Sequence, residues 1–231
     1  GRAREPVFNT ATRWWLWLVN DADIGVSAAS TTFSILCVPA TYLLGRVAFG
    51  RTAGLLAAAI VAIDSTMIGW GVQGWRDDAF TLFVLLVAAA GILFMKRPST
   101  WHAALLAMAT ALALLTRLTS LSFIAPAFVV LAFSTAAHHR ERRAALTRLA
   151  AAAAVAAALV APYLINCWVR YGDPLVAVNR NTTFYRERAG VDASEPLAVH
   201  AYLASRMIDR PVATLDTAFE GLTAYPFRNK F

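Results

Sequence analysis

The residues of this sequence with the clearest capacity for chemistry are two arginines and two aspartates. Arg76, Asp77 and Asp78 follow one another between two long apolar runs, in a chain of which 15% is charged. Arg117 interrupts a further apolar run at 101–137. A guanidinium group donates hydrogen bonds as a planar fork that matches phosphate, whereas an acidic residue caps a helix or holds a cation. These residues therefore form either short polar turns or the floor of a site.

The composition places these residues in a membrane protein. Of the 231 residues, 58% are hydrophobic, above the roughly 45–50% typical of soluble domains, and the mean hydropathy is +0.55. A bilayer core needs about 20 apolar residues per helix, and several runs approach that length. The predicted fold is all-α, a polytopic transmembrane helical bundle with about six spans plus interfacial helices.

The apolar runs predict where the spans lie. Residues 1–26 form an outer-face interfacial segment rich in Trp, 27–169 the transmembrane module, and 170–231 a truncated outer-face loop with an amphipathic helix at 198–209. The helix that contains Asp64 should keep this residue near one end, because a carboxylate at the bilayer centre is costly. The expected spans are 25–45, 52–70, 79–95, two helices within 101–137 that turn near Arg117, and 149–169.

The basic residues predict the orientation. Cytoplasmic loops carry an excess of Lys and Arg, and alternate loops of this chain do so. The residues assigned to the inner side are Arg46, Arg51, Lys96, Arg97, Arg140, Arg142, Arg143 and Arg148. The opposite short loops carry Arg76 and Arg117, so these two need another explanation. The net charge of +7 then reflects topology and contact with anionic membrane lipids, and no nucleic-acid partner is expected.

Four motifs in order resemble the GT-C glycosyltransferases, in the branch with bacterial protein mannosyltransferases and the aminoarabinose transferase of lipid A. In this family, the loop after the second helix is similar to the segment LGRVAFGRTAGLLAA at 44–58 of this chain. The family's Arg-x-Asp-Ala entry to the next helix is similar to RDDA at 76–79. The family's Leu-Leu-Thr-Lys/Arg element is similar to LLTRLT at 114–119. A Pro-Trp-hydrophobic-x-Asn and Gly-Asp-Pro-Leu segment resembles PYLIN at 162–166 with RYGDPL at 170–175.

This resemblance implies a multi-pass enzyme of the cell membrane, the inner or plasma membrane of a bacterium. It would move a hexosyl or pentosyl group from a polyprenyl-phosphate-linked donor to an acceptor protein or glycan on the extracytoplasmic face. The family's general base is a carboxylate in the first outer loop, which we expect upstream of residue 1. No catalytic residue is therefore assigned, and the fragment alone is expected to be inactive.

The resemblance also gives the arginines a role. Arg76 and Arg117 are predicted to bind the lipid phosphate of the donor, with Asp78 as a supporting residue that holds Arg76. The alternatives are that each arginine anchors a helix end at the headgroups, that Asp78 caps the following helix, and that Asp77 is solvated. No metal ligand or cofactor is assigned; a divalent metal is possible but not indicated.

Two other classes of function stay open. The first is a secondary transporter or permease component, for which broken helices, mid-membrane polar groups and repeated halves are typical. The sequence shows no internal repeat, and its polar groups gather at one predicted face. A non-catalytic membrane scaffold is the third interpretation. An acidic residue soon after an upstream first span would favour the enzyme, and an inverted matching half would favour the transporter.

Overall fold

The computed structural model describes residues 5–139, 141–179 and 199–215, and all regular secondary structure in these ranges is helical. The all-α prediction is therefore confirmed. The chain divides into two compact units, 1–175 and 176–231. Arg140, which we assigned to an inner loop, lies outside the described residues.

The first unit is a succession of helices joined by short turns. Their bounds are α1 (Pro6–Val19), α2 (Ala22–Phe49), α3 (Arg51–Ala62), α4 (Ser65–Gln73), α5 (Asp77–Lys96), α6 (Thr100–Thr116), a 3-10 turn (Leu118–Ser120), α7 (Leu121–His138) and α8 (Arg142–Tyr171). Helix α2 packs against α1, α3, α4 and α5, while α6 lies against α5 and α8, and α7 packs on α8. The apolar runs thus become neighbouring antiparallel helices.

Four helices are long and apolar enough to cross a bilayer: α2, α5, α8, and α7 together with the turn before it. The predicted span at 52–70 is instead two helices, α3 and α4, bent by 54° at a short break. If this pair crosses as one span, the number rises to five, and the apolar α6 is shorter, with 17 residues. The count of six spans therefore stays a prediction.

Asp64 explains the break between α3 and α4. It is the N-cap of α4, and its Oδ1 accepts a hydrogen bond of 2.8 Å from the backbone N of Met67. An N-cap residue has extended backbone dihedrals and starts a new helix, so it cannot continue the preceding one. Asp64 therefore lies at a helix end, but this end is a break inside the apolar run. The prediction that Asp64 lies near the end of a membrane span stays a prediction.

The loops fall at two ends of the first unit, as the alternation of charge predicted. At one end, Lys96 donates to the backbone O of Val47, the His139 ring lies 2.8 Å from the O of Met95, and Arg148 donates to the O of Pro98 over 2.6 Å. These contacts bring together the segments around Val47 and Lys96, the residue His139 and the first turns of α8 that contain Arg148. The turns that contain Arg76 and Arg117 lie at the opposite end.

Close backbone contact fixes the pairing of α2 with α3. A Cβ atom added to Gly54 would lie 2.7 Å from the backbone O of Tyr42 and 2.8 Å from the backbone N of Arg46. Small residues allow helices in a membrane to approach this closely. Gly45 has the reciprocal role, since its added Cβ would lie 2.7 Å from Cα of Gly54.

The terminal segments keep part of their predicted character. In α1, Trp14 and Trp17 are exposed, as expected for a helix whose rings meet headgroups. In the second unit the structure describes α9 (Val176–Asn179) and α10 (Val199–Asp209), and the latter coincides with the helix expected at 198–209. The outer-face location of both segments, and the domain bounds 1–26, 27–169 and 170–231, stay predictions.

Candidate active site

The junction between α4 and α5 presents Arg76. Helix α4 ends at Gln73 and is capped by Gly74, whose φ of +76° is a left-handed conformation that favours glycine. Arg76 follows as the residue before α5, and Asp77 with Asp78 forms the first turn of that helix. Acidic residues are favourable at this position because the helix N-terminus carries partial positive charge. The local sequence therefore places one cation and two carboxylates at the same helix end.

Arg76 forms an ion pair with Glu5, a residue that the sequence analysis did not select. Its Nη1 lies 2.9 Å from Oε2 of Glu5. The Glu5 side chain is only 5% exposed, whereas that of Arg76 is 31% exposed. The other oxygen of Glu5 accepts a hydrogen bond of 3.4 Å from the backbone N of Leu118. Glu5 thus bridges the Arg76 junction and the turn that follows Arg117.

Arg117 has an acidic partner of its own. Its Nη1 lies 2.5 Å from Oδ1 of Asp77, and both side chains are about one-third exposed. The guanidinium carbon also lies 5.4 Å from the ring centre of Phe80, one turn along α5, within the range of a cation–π contact. The interpretation of Asp77 as simply solvated is wrong, because this side chain holds Arg117.

The two ion pairs form a closed circuit of contacts. Arg76 contacts Glu5, Glu5 accepts from Leu118, and Leu118 follows Arg117 in the chain. Arg117 contacts Asp77, which is the neighbour of Arg76. The structure therefore brings the two predicted arginines to one end of the first unit, each still partly exposed. We call Glu5, Arg76, Asp77 and Arg117 the charge cluster.

Asp78 does not hold Arg76. Its side chain is fully buried, and Oδ2 lies 3.0 Å from the hydroxyl of Ser30 on α2. The same hydroxyl lies 2.6 Å from the backbone O of Trp75. Oδ1 of Asp78 has no hydrogen-bond partner among the described residues. The N-terminus of α5 receives no hydrogen bond from a capping side chain. Asp78 thus lies in the first turn of α5, as expected for an acid at a helix N-terminus, but it makes neither a side-chain cap hydrogen bond nor an ion pair with Arg76 among the described contacts. Its supporting role at a donor site stays a prediction.

What Asp78 does is fasten the junction to α2. The hydroxyl of Ser30 on that helix contacts both the carboxyl group of Asp78 and the backbone carbonyl of Trp75. The thiol of Cys37, two turns further, approaches the backbone O of Asp78 at 3.5 Å. Arg76 lies between these two anchored residues, so the contacts with α2 restrict where its side chain can reach.

Tyr163 of α8 lies near the same region. Its hydroxyl is buried, and its electrostatic neighbours are Cys167, one turn further along α8, together with Glu5 and Arg76. Its position in the PYLIN motif at 162–166 therefore lies beside the charge cluster. The motifs RDDA, LLTRLT and PYLIN are far apart in sequence, and the fold collects them at one end.

Two residues of this region escaped the sequence analysis, Glu5 and Ser30. A charge count could have indicated Glu5, because it is an acidic residue ahead of α1, on the predicted side of two unexplained arginines. Ser30 has no such signal, since it is a small polar residue within a long apolar helix. Among the residues that the structure describes, no three His, Cys, Asp or Glu side chains come together as a metal site.

A comparison with protein families identifies the chain. The family model described as dolichyl-phosphate-mannose-protein mannosyltransferase matches residues 4–166, which is well over half of the sequence. The chain belongs to this family. No curated protein and no solved structure matched it.

Membership of this mannosyltransferase family, which is of the GT-C type, confirms the resemblance drawn from the motifs. The chain is thus a mannosyltransferase-like membrane glycosyltransferase, in agreement with its apolar, membrane-length helices. The charge cluster, Ser30, Asp78 and Tyr163 all fall inside the matched residues.

Proposed function

We propose that this protein transfers a sugar from a polyprenyl-phosphate-linked donor to an acceptor protein or glycan at the extracytoplasmic face of a bacterial cell membrane. Arg76 and Arg117 bind the phosphate of the donor. The observation that carries the proposal is their meeting at one end of the first unit, 31% and 36% exposed. The family description, which names dolichyl-phosphate-mannose, supports a lipid-phosphate donor and makes mannose the first sugar to test.

The arginines suit the chemistry of this transfer. An acceptor hydroxyl attacks the anomeric carbon, the bond from that carbon to the phosphate oxygen breaks, and a carboxylate outside the assigned residues takes the hydroxyl proton. The polyprenyl phosphate leaves with additional negative charge. Cations positioned where this charge develops lower the barrier, and a guanidinium can contact two phosphate oxygens at once.

The partial neutralisation of both arginines is compatible with phosphate binding. An arginine has five N–H donors, and the ion pairs with Glu5 and Asp77 each involve one terminal nitrogen in the contacts described. Among the residues that the structure describes, neither guanidinium makes a further hydrogen bond or ion pair. Carboxylate partners also fix the guanidinium planes before the ligand arrives, which reduces the ordering that binding would otherwise require.

The transporter alternative has one structural feature in its favour, the broken pair α3 and α4. Transporters place such breaks around a site near the membrane midplane. In this chain, however, the charge cluster lies at the ends of α5, α6 and α1, and the family is one of glycosyltransferases. The enzyme is therefore the interpretation that we adopt.

The test is donor kinetics in membranes that contain the protein expressed from its complete open reading frame. Radiolabelled mannose leaving polyprenyl-phosphate-mannose is measured at varied donor concentration. Loss of a hydrogen bond to a charged group, about 1.5–3 kcal/mol, predicts that Arg117→Ala lowers kcat/KM by about ten- to a hundredfold. Arg117→Lys should recover part of this loss, because it keeps the charge without the fork.

Arg76→Ala should act in the same direction, and the double variant should be less than additive if the two arginines share one phosphate. Arg13→Ala, at an exposed position of α1, is the matched control and should leave the kinetics unchanged. Unchanged donor kinetics in well-folded Arg117→Ala protein would show that Arg117 is only an anchor at the helix end.

A further inference from the structure

Glu5 has an unusual position for a helix-capping residue. It directly precedes α1, yet its side chain makes no hydrogen bond to the N-terminal N–H groups of that helix. Both carboxylate oxygens instead contact other parts of the chain, Oε2 with Arg76 at 2.9 Å and Oε1 with the backbone N of Leu118 at 3.4 Å. The carboxylate therefore connects three separate segments, the start of α1 and the two arginine junctions.

The exposures indicate how Glu5 and Arg76 are arranged. Glu5 is 5% exposed and Arg76 is 31% exposed, so the carboxylate is covered while part of the guanidinium reaches the surface. An anion arriving from outside would meet Arg76 first. A buried charge that loses its partner is strongly destabilised, so exchange of Glu5 for an external anion is unfavourable.

We propose that Glu5 is a positioning residue of the donor-binding site, a role that rests on the proposed function. Its carboxylate holds the Arg76 guanidinium on the buried side and fixes the Leu118 turn. The exposed N–H groups of Arg76 and Arg117 then face one phosphate group. Glu5 does not contact the phosphate and is not the general base. It acts on the donor through the two arginines.

The circuit of contacts explains why one carboxylate can influence both arginines. Without Glu5, Arg76 loses its ion pair and the backbone N of Leu118 loses its acceptor, at the residue next to Arg117. Arg117 would keep its ion pair with Asp77. This pair would then be the one remaining contact, of the two described, between the Arg76 junction and the Arg117 turn. The expected result is a less ordered donor site in a chain that still folds.

The experiment compares Glu5→Ala, Glu5→Gln and Arg76→Ala, with the double variant Glu5→Ala/Arg76→Ala, in the protein from its complete open reading frame. The donor KM, the kcat and the melting temperature are measured with polyprenyl-phosphate-mannose. Glu5→Ala should raise the KM for the sugar donor about tenfold, with a smaller change in kcat. The reason is that the substitution disorders the arginine side chains that bind the phosphate but removes no reacting group.

Two further variants separate positioning from general support of the fold. Glu5→Gln keeps an acceptor oxygen and should recover part of the donor affinity. The effects of Glu5→Ala and Arg76→Ala on KM should be less than additive in the double variant, because the ion pair with Arg76 is then already lost and only the contact of Glu5 with the Leu118 turn remains to be removed. Asp23→Ala, an exposed acid in the first turn of α2, is the matched control and should not change KM.

The outcomes distinguish this inference from the proposed function. If Arg76→Ala raises the donor KM and neither Glu5 variant does, only the role of Glu5 is overturned. If neither arginine variant changes the donor KM, the proposed phosphate site itself fails. A lower donor KM in Glu5→Ala would show that the carboxylate competes with the donor phosphate, and this too would overturn the positioning role. Should Glu5→Ala not fold, the same comparison is made with Glu5→Gln.

Discussion

Arg117 and Asp77 are forty positions apart in the chain, and their side chains meet at 2.5 Å between Nη1 and Oδ1. The contact ties the turn between α6 and α7 to the first turn of α5. Both side chains are about one-third exposed, and such pairs contribute only about 0.2–1 kcal/mol to folding. The value of the pair therefore lies in where it places the guanidinium group.

Exchange of the two charges separates the structural role of this pair from its role toward the donor. Each single reversal, Asp77→Arg or Arg117→Asp, puts like charges together and should lower the melting temperature modestly, since the pair is worth at most about 1 kcal/mol. The double exchange should restore most of the stability, because opposite charges face each other again. Donor use should stay impaired, because the cation then projects from α5.

Thermal unfolding in detergent and donor kinetics are measured on the same preparations of the three variants. Recovery of both stability and donor use in the double exchange would contradict the proposed role, because it would mean that the position of the cation is unimportant. Loss of stability in the double exchange would show that the site requires more than charge complementarity.

Ser30→Ala tests the attachment of the Arg76 junction to α2. The substitution removes the hydroxyl that lies 3.0 Å from Oδ2 of the fully buried Asp78. A buried polar group left without its partner costs about 1–3 kcal/mol, so the free energy of unfolding should fall by that amount. Ser122→Ala, at an exposed position with a local hydrogen bond, is the control. Equal stability of the two variants would exclude a structural role for the Ser30 contact.

Gly54→Ala tests the close approach of α2 and α3. The added methyl group would lie 2.7 Å from a backbone oxygen, so the two helices must move apart. Overpacking of this kind costs about 1–3 kcal/mol, which should appear as a lower melting temperature in detergent. Gly69→Ala has nothing within 4 Å of the new atom and should be neutral or slightly stabilising. A stable Gly54→Ala variant would contradict this packing.

Cysteine accessibility tests the predicted orientation. The exposed positions Gln73 and Thr119 lie at the end of the first unit with the charge cluster, whereas Thr52 and Glu141 lie near the basic loops. A membrane-impermeant maleimide should label Gln73→Cys and Thr119→Cys in intact cells, and Thr52→Cys and Glu141→Cys only after permeabilisation. The native Cys37 and Cys167 are buried, which limits background labelling. Labelling of Gln73→Cys and Thr52→Cys from the same side would overturn the predicted topology.

Local properties of the sequence were sufficient for the class of fold and for the location of the two arginines. Hydropathy over about 20 residues identifies apolar helices. Alternation of charge assigned the Arg76 and Arg117 turns to one side, and the contact between Arg117 and Asp77 confirms that they lie together. Because these signals depend on neighbours in the chain, they indicate where helices end.

The partners of the charged residues were decided by tertiary structure. A carboxylate pairs with the cation that helix rotation and offset bring within reach, and no local pattern encodes that distance. Asp77 and Asp78 are adjacent, yet successive helix positions point in directions about 100° apart. One therefore contacts Arg117 while the other is buried against Ser30. Arg76 is paired with Glu5 because the packing of α1 on α2 and α6 brings the residue just ahead of α1 to this junction.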